Sequence, residues 1–399
     1  MERLSGNITR LYIFSFLQMT LFPMAIITIF WKEHIGLSLS QILLLQSVFS
    51  LASVLLEYPS GYICDRVGYR ASLSFASFLG VAGWALYTIA DSFGDVLLAE
   101  ILLGVSLSFI SGSDSALLYE TLKAQGKEAF YSRFEGRMTG FSQSGEALGA
   151  VFAGVLYAAS PLSPFVLQVA VWIAALAVTR TLVESPRKAP LRPVSHLSEA
   201  AGIARYVFWE NAHLRSTIVF NTLLGLASFF PVWLVQPYMR QTGVPLGWFG
   251  PIWAGANITV ALCALASHRS HRLLGDRGMA ALFLGLVVTG YLGLGIVGGV
   301  WGFLFYYLLT CMRGLRGPMM LKHVQEETAS GSRASVLSLQ SLTFRLSFAC
   351  VAPFVGKLTD VVGVQMTFYY LMFAFMLLTP FLATMFLKNV RKKVRVATE

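Results

Sequence analysis

Charged residues are scarce in this sequence, making up 13% of its 399 residues where a soluble globular protein has about a quarter. Apolar residues reach 56%, so too few polar side chains remain to cover a surface that faces water. The apolar excess must therefore face lipid, and the composition predicts an all-α integral membrane protein. The long apolar runs also exclude a membrane β-barrel, because barrel strands alternate apolar and polar residues.

Features that would mark a metalloprotein or an enzyme are missing as well. The 4 cysteines include no C-x-x-C pair, so neither a disulfide framework nor a zinc site is indicated. None of the 6 histidines falls in an apolar run, and His268 with His271 is a weak metal pair, so no metal is predicted. A phosphate-binding Gly-Lys-Ser/Thr loop and a recognisable nucleophile–base pair are both absent. We expect no cofactor and no enzymatic activity.

Twelve apolar runs are long enough to cross a bilayer as helices. They begin near Thr9, Leu39, Ala71, Val96, Arg137, Leu162, Leu214, Gly247, Met279, Val300, Ala334 and Gln365. A polar segment at 184–213, too short for a soluble domain, separates the first six runs from the last six. The pattern predicts an N-terminal six-helix bundle at 1–183, a cytoplasmic linker at 184–213 and a C-terminal six-helix bundle at 214–399, related by pseudo-twofold symmetry.

The distribution of basic residues orients these spans. Lys and Arg outnumber Asp and Glu by 30 to 20, which in a soluble protein would favour nucleic-acid binding. With the N-terminus inside, almost all of them fall on the cytoplasmic side, and the basic tail after Lys388 faces lipid headgroups. We therefore predict a multi-pass protein of the cell inner membrane with both termini cytoplasmic. It is expected to be a monomer that binds no nucleic acid.

One loop, between the second and third predicted spans, contains a recognisable motif. Residues 61–70 read GYICDRVGYR, preceded by EYPS. This resembles the G-x-x-x-D-R-x-G-R-[RK] signature of the major facilitator superfamily. Two glycines permit a tight turn, and a carboxylate flanked by guanidiniums can hold neighbouring helix ends. The resemblance implies twelve spans around a central solute site and a conformational latch formed by Gly61, Asp65, Arg66, Gly68 and Arg70.

Other segments extend this resemblance and also limit it. Residues 271–278 look like a decayed copy of the motif in the second half, and Arg333–Leu339 is similar to the start of span eleven in many bacterial members. The chain resembles the bacterial drug/proton antiporter group, whose members usually have R-x-x-x-G in span four. Here Glu100 replaces that arginine, before Gly104. The glycine-rich antiporter signature of span five is only loosely matched by Gly140, Gly145, Gly149 and Gly154.

Acidic residues at membrane depth are expensive and indicate function by default. Glu146 lies near the middle of span five, on a helix face with Ser142 and Gly149, so we expect it to border a cavity rather than lipid. A carboxylate held away from water can load and release a proton as access alternates. Glu146 is therefore the first candidate for proton coupling. The alternative is that it only neutralises a buried arginine.

Two further acids, Glu57 and Asp114, lie roughly 10 Å from the predicted midplane, on the cytoplasmic side. Both are secondary candidates for proton coupling. For Asp114, pairing with Arg66 or Arg70 of the motif loop is favoured over proton carriage.

The candidate solute-binding residues are arginines and amides within the spans. Arg345, with Arg313 as second choice, presents a guanidinium fork suited to a carboxylate or phosphate, although a purely structural role remains an even alternative. Three polar residues near span centres, which either line the cavity or join helices, complete the set: Gln18, Asn221 and Asn257.

Together these features predict a proton-coupled secondary transporter for a small organic solute, anionic or amphiphilic, that works by alternating access. Its partners would be the solute, protons and the lipid bilayer. Export by antiport leads on the resemblance alone, and import of a siderophore-like or metabolite anion is the close alternative. A receptor or scaffold that binds without transport is a more remote alternative.

Overall fold

A computed structural model of the chain describes residues 2–184, 202–328 and 333–398. Of the residues that the structure describes, 89% are helical and none lies in a strand. Seven helical stretches in these residues are long and apolar enough to cross a membrane, and one of them, Leu246–Ile296, covers two of the predicted spans. The prediction of an all-α membrane protein is confirmed.

The helices of the first half are numbered α1 to α7. These are α1 (Glu2–Met19), α2 (Leu39–Val67), α3 (Tyr69–Tyr87), α4 (Phe93–Ile110), α5 (Ser113–Ala124), α6 (Tyr131–Ala159) and α7 (Ser163–Thr181). A short helix, Ile27–Ile29, and a π turn, Phe30–His34, follow α1 within the first predicted span. Capping boxes at Ser38 and Ser92 start α2 and α4, because each serine and the residue three positions later satisfy each other's backbone N–H groups.

Within the part of the second half that the structure describes there are five long helices. These are α8 (Ala212–Gln241), α9 (Leu246–Ile296), α10 (Leu304–Glu326), α11 (Arg333–Val362) and α12 (Val364–Thr398). The backbone of α9 leaves helical geometry at Gly275, with φ 62° and ψ −178°. Only glycine adopts that conformation without strain, so the chain turns there and the two predicted spans separate.

Two compact units make up the chain. The first contains Met1–Arg192 together with Pro245–Ala254, and the second contains Pro193–Val244 together with Gly255–Glu399. The first turns of α9 therefore pack with the first unit. Most of the predicted linker at 184–213, namely residues 185–201, lies outside the described residues.

An aromatic cluster forms part of the core of the first unit. The rings of Phe30 and Phe165 lie 4.1 Å apart between centroids, and Tyr87 stacks on Phe165 at 5.3 Å. Trp31 and Trp84 pack against the same tyrosine at 6.4 and 5.4 Å. All five rings are buried, so the end of α3 is held firmly against α7 and the π turn.

Helix α6 approaches its neighbours at three of its glycines. A Cβ at Gly145 or Gly149 would lie under 3.0 Å from backbone atoms of α1 or of the residues just after it, and one at Gly154 would lie equally close to Leu246 in α9. A Cβ at Gly136 or Gly140 would meet nothing within 4 Å. The glycines at 145, 149 and 154 in span five therefore mark close backbone contacts.

The contact between α6 and the start of α9, within the first unit, also needs a glycine on the α9 side. On α9, a Cβ at Gly250 would lie 2.7 Å from the carbonyl oxygen of Val151 and closer still to that of Ala150. Because these obstacles are backbone atoms, no rotamer change can make room. The contact between α6 and the first turns of α9 depends on Gly154 and Gly250 together.

Candidate functional site

A cavity of about 250 Å³ lies within the second unit. Three helices line it: α8, α10 and α11. The lining residues are Asn221, Thr222, Arg316, Leu337, Gln340, Ser341 and Phe344. The wall is therefore mixed, with an apolar side from Leu337 and Phe344 and a polar side that contains one guanidinium.

The guanidinium of Arg316 is held in place by Asn221. Arg316 Nη1 donates to both the backbone oxygen and the side-chain Oδ1 of Asn221, each at 2.7 Å. Asn221 is only 8% exposed, so this anchor is shielded from water. Two bonds from one nitrogen fix the plane of the fork and leave its other N–H groups available.

Several buried polar atoms around the cavity have no hydrogen-bond partner among the described residues. They are Arg316 Nε, Thr222 Oγ1 and Gln340 Oε1. Buried polar atoms without partners are rare in folded proteins, because each costs about 1–3 kcal/mol. Three of them in the lining of one cavity indicate a place for a polar molecule, which would accept from Arg316 and donate to Gln340.

The cavity lies deep along the helices. Asn221 is nine residues after the start of α8, and Arg316 is ten residues before the end of α10, so both are roughly 14–15 Å from those ends. This distance is about half the thickness of a hydrocarbon core.

The structure brings one of the predicted solute-binding residues, Asn221, into this cavity. Arg313 instead donates from Nε to Ser228 Oγ at 3.3 Å and from Nη2 to the Ser228 carbonyl, which is the structural role left open for it. Arg345 is half-buried beside Phe344, does not line the cavity, and forms no hydrogen bond or ion pair within the described part of the chain. Gln18 and Asn257 are half-buried elsewhere.

The predicted proton-coupling acids occupy different environments. Glu146 is half-buried on α6, next to Gly145, where that helix packs on α1. Glu57 is exposed. Asp114 lies in the first turn of α5, and its Oδ1 accepts from the N–H of Ser115 at 2.7 Å.

The expected pairing of Asp114 with the motif loop is not formed among the described residues. Arg66 instead lies over the ring of Tyr62, 4.4 Å from its centroid, and Arg70 donates to the carbonyl of Arg180 at 2.9 Å. Both guanidiniums are exposed, so stacking and carbonyl contacts at the surface compete with an ion pair. The side chain of Asp65 lies outside the described residues.

The motif was predicted to be a loop, but its residues lie at the end of α2 and the start of α3, which only Gly68 separates. A carboxylate outside the motif holds this junction. Glu184 accepts from the backbone N–H groups of Tyr69 and Arg70 at 3.0 and 2.9 Å, and so caps the N-terminus of α3. Gly68 has φ 119°, and a Cβ there would lie 2.8 Å from Glu184 Oε2. Gly68 is therefore needed both for its backbone conformation and for the space that the carboxylate fills.

Comparison with known proteins agrees with this architecture. A model of the Major Facilitator Superfamily matches residues 10–345. The chain belongs to the major facilitator superfamily. A relative, the uncharacterised MFS-type transporter YxaM of Bacillus subtilis (strain 168), is 30% identical over 136 residues. That match covers 33% of this chain and spans only about a third of the relative's length, 32%.

Solved structures share the fold of this facilitator at low sequence identity. The nucleoside transporter NupG superposes with a TM-score of 0.76 at 14% identity, covering 96% of this chain and 99% of that one. A bacterial homologue of the human lysosomal transporter Spinster, inward-facing and unoccupied, gives 0.75 at 14% identity over 97% and 98%. A POT family transporter in complex with 5-aminolevulinic acid gives 0.73 at 12% identity over 97% and 96%.

These findings confirm the predicted all-α membrane fold of the major facilitator type. The chain is therefore a multi-pass membrane protein of the transporter type.

This facilitator also has a buried acidic residue, Glu100, to which the comparison of motifs assigned no role. Glu100 on α4 is 5% exposed. Its Oε1 accepts from the hydroxyl of Tyr87 at 2.5 Å and its Oε2 from Nε2 of Gln46 at 3.0 Å. The three residues come from α4, α3 and α2, so the carboxyl joins three helices of the first unit. Sequence comparison noted only that an arginine was missing at this position.

Replacing Glu100 with Ala is expected to lower the free energy of unfolding by about 2–4 kcal/mol, because the Tyr87 hydroxyl and the Gln46 amide lose their acceptor and a cavity is left. Glu100→Gln should be much milder, since an amide oxygen still accepts. Denaturant unfolding of the purified protein measures both. In a double-mutant cycle of Glu100→Ala with Tyr87→Phe, the two effects on the free energy of unfolding should be non-additive. Additive effects would contradict the linkage.

Proposed function

We propose that this facilitator is a proton-coupled secondary transporter whose solute binds in the cavity at Arg316 as a small organic anion or zwitterion. Three residues that line this cavity each contain a buried polar atom without a partner among the described residues, and this observation carries the proposal. A carboxylate or phosphate oxygen would accept from Arg316 Nε–H, while an ammonium or hydroxyl group would donate to Gln340 Oε1. A volume of about 250 Å³ suits a small metabolite better than a drug-sized molecule.

The remaining predicted residues keep secondary parts in this proposal. Glu146 is the carboxylate that loads and releases the proton, and Asp114 and Glu57 are its alternatives. Gln18 and Asn257 are proposed to contact the solute outside the cavity at Arg316, and Arg345 is the alternative anion-binding residue. The motif loop, Gly61 to Arg70, is the proposed conformational latch.

The proposed direction of transport and the proposed orientation in the membrane rest on the sequence alone. We propose export by antiport, on the resemblance to drug/proton antiporters, with uptake of a metabolite or siderophore-like anion as the second candidate. The positive-inside distribution of Lys and Arg supports cytoplasmic termini and a bacterial inner membrane.

A thermal-shift screen of the purified protein tests the solute class. We expect stabilisation by carboxylates and phosphates, with 5-aminolevulinic acid and inorganic phosphate as first probes, and none by a neutral nucleoside such as uridine. Stabilisation by neutral compounds only would contradict the anion site. Counterflow of the best ligand in proteoliposomes then separates transport from the receptor or scaffold alternative, in which a ligand binds but is not exchanged.

Replacing Glu146 with Gln is expected to abolish solute accumulation driven by a pH gradient while leaving counterflow intact. The amide keeps the shape of the carboxyl group but cannot bind and release a proton. Radiolabelled uptake or efflux in proteoliposomes, with and without an imposed gradient, measures both. Glu128→Gln, the same change at an exposed loop position, is the matched control. Gradient-driven transport at the wild-type rate in Glu146→Gln would refute this role.

A further inference from the structure

A cluster of two imidazoles and a carboxylate lies in the second unit, away from the cavity at Arg316. His271 precedes the break in α9 at Gly275, Asp276 follows it, and His323 lies in the last turn of α10. The turn at Gly275 places the carboxylate back over His271. The chain therefore brings together three side chains that are each able to ligate a metal.

The three side chains already lie close together. Asp276 Oδ1 lies 2.8 Å from His271 Nε2 and 3.0 Å from His323 Nε2, which are hydrogen-bond distances, and one potential ligand atom from each residue lies within 4.8 Å of the others. Ligand atoms around a tetrahedral zinc ion, each about 2.0–2.1 Å from the metal, are about 3.3 Å apart. To seat an ion, the carboxylate would move away from the imidazoles by about half an ångström, and the two rings would adjust their separation.

We propose that His271, Asp276 and His323 form a binding site for a divalent transition-metal ion, with Zn²⁺ as the best fit. Two imidazole nitrogens and one carboxylate oxygen are borderline ligands that suit zinc, whereas calcium and magnesium require oxygen donors. To ligate the ion through Nε2, each imidazole must carry its remaining proton on Nδ1, so only a ring that is doubly protonated before binding releases a proton. Three protein ligands leave a fourth position for water.

The surroundings fix the orientation of the ligands. The side chain of His323 is 9% exposed, against 18% for His271 and 24% for Asp276. The ring of Phe386 lies edge-on to His323 at 5.1 Å between centroids, and that of His213 at 5.8 Å. His323 is thus held on the inner side, while the other two ligands are reachable from solvent. Rigid packing around ligating imidazoles favours binding.

The charge of the loop limits the affinity. Arg272 and Arg277 flank the cluster, and both are exposed, so salt screens their repulsion of a cation. With only one anionic ligand in the set, micromolar rather than nanomolar affinity is expected. Bound metal would tie the turn between the two halves of α9 to the end of α10.

Zinc titration of the purified full-length chain, prepared without a polyhistidine tag and stripped with a chelator, tests the site. Isothermal titration calorimetry should give one Zn²⁺ per chain. His323→Gln and Asp276→Asn should each weaken binding by at least about tenfold. His268→Gln, an exposed histidine one turn before His271 on the same helix, should leave binding unchanged.

A folding control keeps the outcome clear. Gel filtration confirms that each variant is folded, and His271→Gln serves as an alternative if His323→Gln is not. Absence of saturable zinc binding by the wild type would overturn the proposal, as would wild-type affinity in both His323→Gln and Asp276→Asn. If the variants lose thermal stability while the wild type binds no zinc, the cluster is only a hydrogen-bonded contact, and the proposal is likewise wrong.

Discussion

Replacing Arg316 with Gln should weaken binding of the anionic ligand by about 100-fold, which equals about 2.8 kcal/mol. Arg316 is the one cation in the lining of the cavity in the second unit, and its Nε is the donor still lacking a partner among the described residues. Glutamine keeps polarity but removes both the charge and the fork. The affinity of Arg316→Lys for the anion should lie between that of the wild type and that of Arg316→Gln, because lysine keeps the charge but loses the forked pair of N–H donors. Calorimetric titration with the best anion of the screen measures all three affinities.

Arg345→Gln is the matched control, since it removes the same charge from a neighbouring helix position outside the cavity. We expect this variant to bind the anion with less than about a threefold change in affinity, because Arg345 does not line the cavity. The melting temperature of each unliganded variant shows whether the loss of the Arg316–Asn221 bonds has disturbed the fold. Wild-type affinity in Arg316→Gln together with a large loss in Arg345→Gln would move the anion site to Arg345.

Replacing Gly250 with Val should lower the free energy of unfolding by about 3 kcal/mol or more, the upper end of the range for overpacking. The new Cβ would lie 2.7 Å from the Val151 carbonyl oxygen and nearer to that of Ala150, so α6 and the start of α9 would have to separate. Gly154→Val should act similarly from the opposite helix. Denaturant unfolding and the yield of monodisperse protein are the measurements.

Gly247→Val provides the comparison, because a Cβ there meets nothing within 4 Å in the same helix. Valine has a higher helix propensity than glycine, so neither substitution should destabilise the helix through propensity, and the difference between the variants reports mainly the steric effect. Equal stability of the two variants would show that the contact between α6 and α9 tolerates separation.

Most of the fold could be predicted from the sequence because lipid imposes a strong constraint: each span must be a long apolar helix. The predicted starts at Gly247 and Met279 both fall in one helical stretch, which turns at Gly275. Apolar run length could not show that turn. The close contact of Gly250 with α6 was equally hidden, since glycine is also common in spans that pack loosely.

The site could be predicted only in part, because depth along a helix does not tell where a long side chain ends. Arg345 and Arg316 both lie at membrane depth, yet Arg316 lines the cavity and Arg345 does not. Asn221 could be predicted as an isolated amide in a span. Thr222 and Gln340 could not, since hydroxyls and amides are frequent near helix ends and contacts.

Clusters whose residues lie far apart in the sequence could not be predicted either. The partners of Glu100 lie 54 and 13 residues away, and His323 lies 47 residues from Asp276. A histidine pair close in sequence, His268 with His271, drew attention instead. These residues come together only when the helices pack, and the spacing of residues along the sequence does not show which helices pack together.

The uneven use of glycine along α6 has a practical consequence. At Gly136 and Gly140 an added side chain meets open space, whereas at Gly145, Gly149 and Gly154 it meets backbone. A cysteine placed at either of the first two positions can therefore carry a fluorophore or spin label without forcing helices apart. Such reporters would let distance changes be followed spectroscopically while the carrier cycles in a vesicle.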